Sequence, residues 1–416
     1  MRPLTLAPVL AAALSSFPAP ARAAPLSDAP PFPPHHLFVA GAFSNNVIEF
    51  DANGAFVREL TPAGLISPRS LAFGPDGGLY VLSLDNKVLV LDSTGAPVRE
   101  FPIGIGQPNE ITFGPQGHLL VGTDNQVVQE YDVSGPTSKF VRHFDTDDAV
   151  RGLAIGPNGH LYAGGDVVRE YTTDGAFVRT FTNKIEFASK VTVGPRGHLW
   201  VRASTSRYCR FDARGKHLAD IDAEGELSFP EGSAFGPDGR LYLTSGGADD
   251  KVLIVDPETD VVLGERKAPP GVLNGPFALA FSPQRFVAKI AGRLSGESIP
   301  TTKVKEKAVL SIAPGILMLA LTDDTLDPFD LATTFDEESI VLRTFEGHPF
   351  GAAEFVAHGA ARRFPSESEG LATLAAELRG EFDGGRLVLD RAKGVLARGG
   401  ERGAFQGKVK AKKRLN

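Results

Sequence analysis

One phrase returns about every forty residues, and no other feature constrains the fold as much. It runs apolar strand, Gly-Pro-x-Gly turn, apolar strand, polar turn, apolar strand ending in Asp, turn, final strand. Five copies open with LAFGPDGGLYV (71–81), ITFGPQGHLLV (111–121), LAIGPNGHLYA (153–163), VTVGPRGHLWV (191–201) and SAFGPDGRLYL (233–243). Their turn glycines, Gly74, Gly114, Gly156, Gly194 and Gly236, stand 40, 42, 38 and 42 residues apart. Four short strands per unit at this period are the signature of propeller blades.

The ends of the array set the count. Residues 37–60 (LFVAGAFSNNVIEFDANGAFVREL) supply the last three strands of a unit but not the first, and residues 278–283 (ALAFSP) supply a first strand alone. Joined, they complete a sixth unit and remove two unpaired sheet edges. The expectation is an all-β, six-bladed β-propeller over 37–283, closed by pairing its N- and C-terminal strands.

Turn chemistry fits this expectation. Pro fixes φ and the second Gly permits φ > 0 in the first hairpin. The next hairpins carry Asn45-Asn46, Asp85-Asn86, Asp124-Asn125 and Asp249-Asp250, residue types that tolerate the left-handed region. The outer strands repeat Val57-Arg58, Val98-Arg99, Val141-Arg142 and Val178-Arg179. Alternation predicts Val packed inward and Arg solvated on the edge, with no functional role for the arginines.

Composition narrows the class. A hydrophobic fraction of 42% is too high for a disordered chain, and a net charge of −7 provides no overall positive field for nucleic acid. The lone Cys209 excludes an intrachain disulfide and a Cys-based zinc cluster, and is expected to be a small buried residue. Residues 1–23 combine Arg2, an apolar run and Ala21-Arg22-Ala23, the layout of a signal peptide. Residues 24–36 then read as a Pro-rich linker. The apolar run 308–321 is short and broken by Pro314-Gly315, which predicts two strands and no transmembrane segment. The mature protein is expected to be extracytoplasmic, periplasmic or secreted.

The repeat resembles the NHL-repeat family, over about 60% of the chain, through its P-x-G and [LI]-[YW]-V elements. The resemblance implies the fold and leaves activity open, because such propellers serve as lyases, lactonases, receptor ectodomains and binding platforms.

A site is expected where the loops entering the inner strands surround the central channel. Five residues before each turn glycine, or at the equivalent place, stand Arg69, Asn109, Arg151, Ser189, Glu231 and Phe277; the next position holds Ser70, Glu110, Gly152, Lys190, Gly232 and Ala278. The charges of Arg69, Glu110, Arg151, Lys190 and Glu231 suggest a polar mouth for a small anionic or zwitterionic ligand, or for a protein partner. Pairing among these charges around a water-filled channel is the alternative.

Pro230-Glu231-Gly232 and Pro108-Asn109-Glu110 are similar to segments of senescence-marker/gluconolactonase-type propellers. That resemblance implies a divalent cation such as Ca²⁺ held by Glu231 and Asn109, and a lactonase, hydrolase or lyase activity. The Asp that completes the family's ligand set has no counterpart here. Convergence of Glu231, Asn109 and another carboxylate on one point is the condition for this reading; Arg–Glu pairing favours binding or a structural cell-envelope role.

His118, His160 and His198 each follow a Gly-Pro-x-Gly turn. Equivalent places in neighbouring blades keep them too far apart for one zinc, so they are expected to be turn-flanking polar residues. His35-His36 fall within the linker reading. No G-x-S-x-G, phosphate-loop or H-E-x-x-H motif occurs.

The forty-residue period stops after Pro283. Residues 286–416 alternate in places and predict a smaller β-rich, sandwich-like domain of six to eight strands, with Leu371 to Phe382 as one of them. The lysine-rich tail 408–414 reads as a solvated edge strand. The leading expectation is a secreted or periplasmic binding protein that uses the variable propeller face.

Overall fold

The computed structural model describes residues 32–283, apart from positions 75, 105, 115–116, 134–136, 157–158, 173, 183–184, 186–187, 195–196 and 248, and the backbone of eight strands between 284 and 414. The leader 1–23 lies outside the described residues.

Six four-stranded antiparallel sheets form the propeller. Blade 1 joins Leu37–Gly41, Asn46–Phe50 and Phe56–Leu60 to the inner strand Pro276–Phe281. Blades 2 to 6 occupy 70–102, 108–145, 152–182, 191–221 and 233–266. The closing pair has the expected register, with Leu37 opposite Phe281 and Val39 opposite Leu279. His36 N donates to Ser282 Oγ at 2.9 Å, and Ser282 N donates back to His36 O at 2.9 Å.

Each blade is covered on both faces by its neighbours, so its middle strands are apolar without alternation; all five residues of Leu79–Ser83 are buried. The core is therefore divided among the blade junctions. Tyr80 and Leu82 of blade 2 pack with Ile111 and Val121 of blade 3, and Tyr242 and Ile254 of blade 6 pack with Val39 and Phe281 of blade 1.

The turns follow the expected chemistry with two exceptions, one of them in blade 6, where Gly247 takes the positive φ and neither Asp249 nor Asp250 does. Asn45 and Asn86 take φ of 54° and 61°, whereas in blade 3 the left-handed residue is Gln126 and not Asn125. Asp51 Oδ1 accepts from Asn53 N at 2.9 Å and Ala55 N at 2.8 Å, closing an Asx turn that Asp212 reproduces in blade 5.

Three of the four outer strands reverse the expected Val-Arg orientation, whereas in blade 2 Val98 packs against the core as expected. Val57, Val141 and Val178 are more than 40% exposed, and the arginines turn inward. The cause lies on the third strand, where Glu49, Glu130 and Glu170 stand opposite Arg58, Arg142 and Arg179. Arg58 Nε donates to Glu49 Oε2 at 2.6 Å, and His36 Nδ1 lies 2.7 Å from Oε1. His118–Glu130–Arg142 and His160–Glu170–Arg179 repeat the triad. The three glutamates are at most 3% exposed, and a charge so buried requires such partners.

These arginines also join blades. Arg58 reaches Thr94 O in blade 2 at 3.0 Å, Arg142 reaches Asp174 O in blade 4 at 2.8 Å, and Arg179 reaches Arg214 O in blade 5 at 3.2 Å. Blade 2 lacks the glutamate; Arg99 instead reaches Asp76 at 3.2 Å and Val133 O of blade 3 at 3.0 Å. Blade 5 has Arg210 at that place, its His198 lies beside Trp200, and Arg210 donates to Pro257 O of blade 6 at 2.8 Å.

Part of the linker is structural. Phe32 is buried and meets Phe38 and Phe73 edge-on, each at 5.2 Å between ring centres, while Ser282 Oγ donates to Pro33 O at 2.5 Å. His36 occupies blade 1's place in the histidine series. A Pro-rich composition hid both contacts, because proline signals stiffness equally well in a spacer and in a docked segment.

Cys209 is buried as expected; burial and then Asp220 push its thiol up to about 12.

The trailing strands, which begin at Gln284, form one closed barrel of eight and not two stacked sheets. Thr302–Ala313 and Ile316–Thr322 flank Pro314-Gly315, and Ala372–Asp383 is the strand read from 371–382. Glu401–Arg414 pairs on both sides, so the lysine-rich tail is no edge strand; closure removes the edge. Among the described residues no helix is long and apolar enough to cross a membrane.

Candidate functional site

The inner-strand ring resolves into two buried polar networks and a set of side chains at the mouth. In the first network, Glu110 on the inner strand Pro108–Phe113 is 6% exposed. Ser70 of blade 2 donates to Glu110 Oε1, and Lys190 of blade 5 donates to Oε2. Ser70 Oγ also accepts from Ile111 N at 3.2 Å. Three blades thus meet at one carboxylate, with both charges matched inside the ring.

Gly152 of blade 4 shows why part of this ring varies. A Cβ there would stand 2.8 Å from Lys190 Cα and from Val191 N, so the inner strands approach backbone to backbone. Variation at this position therefore reflects packing as well as any specificity.

The second network centres on Arg202, which sequence reasoning missed. It lies on the second strand of blade 5, Leu199–Ser204, and is 6% exposed. Its Nη1 donates to Glu231 Oε2 and to Ser189 Oγ, both at 2.9 Å. The equivalent places in the other blades hold Ala40, Leu82, Gly122, Gly164 and Thr244. One cation in an otherwise uncharged series was the available signal, outside the inner-strand positions that were compared. Nearby, burial holds the Tyr208 phenol well above its ordinary range, and the hydroxyl donates to Pro230 O at 3.4 Å.

The mouth residues stand apart from both networks. Asn109 Nδ2 donates to Asp124 Oδ1 at 2.6 Å and to Val150 O at 3.1 Å. Arg151 pairs with the exposed Asp166 at 3.6 Å. Arg69 stacks on Phe277 of blade 1, its guanidinium carbon 4.7 Å from the ring centre. Its Nε is buried without a hydrogen-bond partner, and no carboxylate among the described residues pairs with it.

The residues present do not fit the calcium-type set. Glu231 answers Arg202, Asn109 spends its amide nitrogen on Asp124, and the two belong to separate contacts. Hard-cation sites gather six or more oxygens, whereas the networks here already place an ammonium and a guanidinium beside their carboxylates. His118 and His160 are likewise apart, each bonded to the glutamate of its own blade.

The molecule thus contains a six-bladed β-propeller whose inner ring pairs Lys190 with Glu110 and Arg202 with Glu231, with Arg69 stacked on Phe277. No protein-family model matches the chain, and no curated protein matches it. Among solved structures, a protein of unknown function from Bacteroides caccae aligns with TM-score 0.50 at 13% identity, covering 59% of this chain and 98% of that one. Virginiamycin B lyase from Staphylococcus aureus aligns with TM-score 0.41 at 13% identity over 83% of this chain and 95% of its own. A catalytically inactive form of that lyase with quinupristin gives TM-score 0.41 at 13% identity over 82% and 94%. The first likeness shows the fold and nothing finer.

Proposed function

We propose that this chain is an extracytoplasmic, NHL-like propeller that binds a ligand or partner bearing an anionic group beside an apolar part. The observation that carries the reading is Arg69, a guanidinium stacked on Phe277 with its Nε unsatisfied and no acidic partner among the described residues. A carboxylate or phosphate would complete it through bidentate hydrogen bonds. Lys190 and Arg202 already have carboxylates, so they set the shape and charge of the channel and do not capture the ligand.

Three exposed apolar residues lie in loops on the side from which the inner strands are entered. Phe43 in the second loop of blade 1, Ile66 in the loop entering blade 2 and Phe229 in the loop entering blade 6 are 76%, 49% and 55% exposed. Three consecutive blades thus present an apolar loop residue on the face entered by the inner strands, the composition of a recognition surface.

The reading is tested by thermal shift with monocarboxylates of increasing acyl length and with inorganic phosphate. The melting temperature should rise with carboxylate concentration, and more for longer chains, by mass action. Arg69→Ala should remove that rise while Arg151→Ala retains it. An undiminished rise in Arg69→Ala defeats the proposal.

A further inference from the structure

Away from the channel, the hairpin formed by Arg207–Phe211 and His217–Ile221 on the outer side of blade 5 gathers three metal-ligating side chains. Cys209 stands directly opposite Asp220, and His217 opposite Phe211. Cys209 Sγ lies 3.2 Å from Asp220 Oδ1, and His217 Nε2 lies 2.8 Å from the same oxygen. The three ligand atoms fall within 4.8 Å of one another. Bonds of about 2.0–2.3 Å around a tetrahedral zinc set ligand atoms roughly 3.3–3.8 Å apart, so small side-chain rotations suffice. Arg207 Nη1 holds the other carboxylate oxygen at 3.2 Å and leaves Oδ1 to the cysteine and histidine.

The other blades provide an internal comparison. The pair equivalent to Cys209 and Asp220 is Ile48–Glu59, Leu89–Glu100, Gln129–His143, Arg169–Thr180 and Leu253–Glu265. At the His217 place stand Phe56, Pro97, Phe140, Phe177 and Val262. Blade 5 alone replaces the apolar residue by His and sets a thiol opposite an acid in the same hairpin. Two departures from a repeat that meet in space need a common reason, and shared ligation is one.

We propose that Cys209, His217 and Asp220 form a binding site for a thiophilic divalent cation, zinc foremost, with the fourth position open to solvent. Sulfur, imidazole and carboxylate together suit zinc and not calcium or magnesium. On binding, the sulfur–metal bond forms as the thiol proton leaves to solvent. The cation would tie the third strand of blade 5 to its outer strand. This site is independent of the Arg69 reading.

The test is titration of the full chain with Co²⁺, followed by Zn²⁺ competition. One equivalent of Co²⁺ should give a thiolate-to-cobalt charge-transfer band together with tetrahedral d–d bands, and Zn²⁺ should abolish both. Cys209→Ser should remove the charge-transfer band. His217→Ala, a change at a partly exposed side chain, should weaken binding at least tenfold while the metal-free variant still unfolds cooperatively. Absence of the thiolate band, or zinc affinity unchanged in His217→Ala, overturns the site; the histidine variant decides if the serine variant misfolds.

Discussion

Arg202 Nη1 donates to Glu231 Oε2 at 2.9 Å, joining the second strand of blade 5 to the loop that enters blade 6. The same nitrogen bonds Ser189 at 2.9 Å, so one guanidinium sets the positions of two ring residues. Arg202→Met should lower stability by about 1–3 kcal/mol, the usual result of stripping partners from a buried polar group. Adding Glu231→Gln should restore part of the loss in a urea-unfolding cycle. A single variant as stable as the parent would show the contact to be idle.

In the Lys190–Glu110 pair both side chains are buried, 10% and 8% exposed, whereas Glu231 is 30% exposed. Removing one partner of a buried pair leaves an uncompensated charge, so Lys190→Met should cost about 3–5 kcal/mol. Lys190→Met with Glu110→Leu should be more stable than Lys190→Met alone, by calorimetry. Equal melting temperatures for the single and double variants would contradict the pairing.

The His–Glu–Arg triads give the propeller an acid-sensitive component. Burial opposes the charge on Glu49, but hydrogen bonds from His36 and Arg58 outweigh it and hold the carboxyl below its ordinary value of 4.5. Glu130 is lowered in the same way by His118 and Arg142. A carboxylate lowered on folding contributes stability above its unfolded pKa and loses it as pH falls through the folded value. The melting temperature should therefore drop below about pH 4.5. A Glu49→Gln/Glu130→Gln variant should begin lower at neutral pH and approach the parent in acid. Parallel curves across pH 3–6 would refute the linkage.

Phe32 seals blade 1 from outside the repeat, against Phe38 and Phe73. Phe32→Ala should destabilise by about 3 kcal/mol, as truncation of a buried aromatic does. Phe32→Leu should retain most of that stability in the same unfolding assay. No loss on truncation would return this segment to the status of a spacer.

The propeller was legible because its signals are local. Gly-Pro-x-Gly turns, left-handed asparagines and a constant period report on neighbours a few residues apart, and the two partial units at 37–60 and 278–283 can be summed. The inner-strand ring positions were legible for the same reason. Their partners were not: Lys190 meets Glu110 across 80 residues, and Arg202 projects from a strand where the repeat carries uncharged residues. The Val-Arg orientation was misread in blades 1, 3 and 4 because alternation gives a period without naming its buried phase; Glu49, Glu130 and Glu170 on the adjacent strand decide it. Barrel closure after residue 284 depends on first-to-last pairing, which no turn motif announces.

The seam of blade 1 has a mechanical corollary. Leu37 begins one strand and Phe281 ends its antiparallel partner, so the chain enters and leaves the ring side by side. Tension drawn between the preceding segment and the barrel would load these hydrogen bonds one after another, as in opening a zip, and not all together in shear. After the Phe32 contact, the bonds of Ser282 to Pro33, His35 and His36 would bear that force first. Resistance to pulling would thus reside in one serine-anchored clasp, while the other five blades remain sheltered from the load.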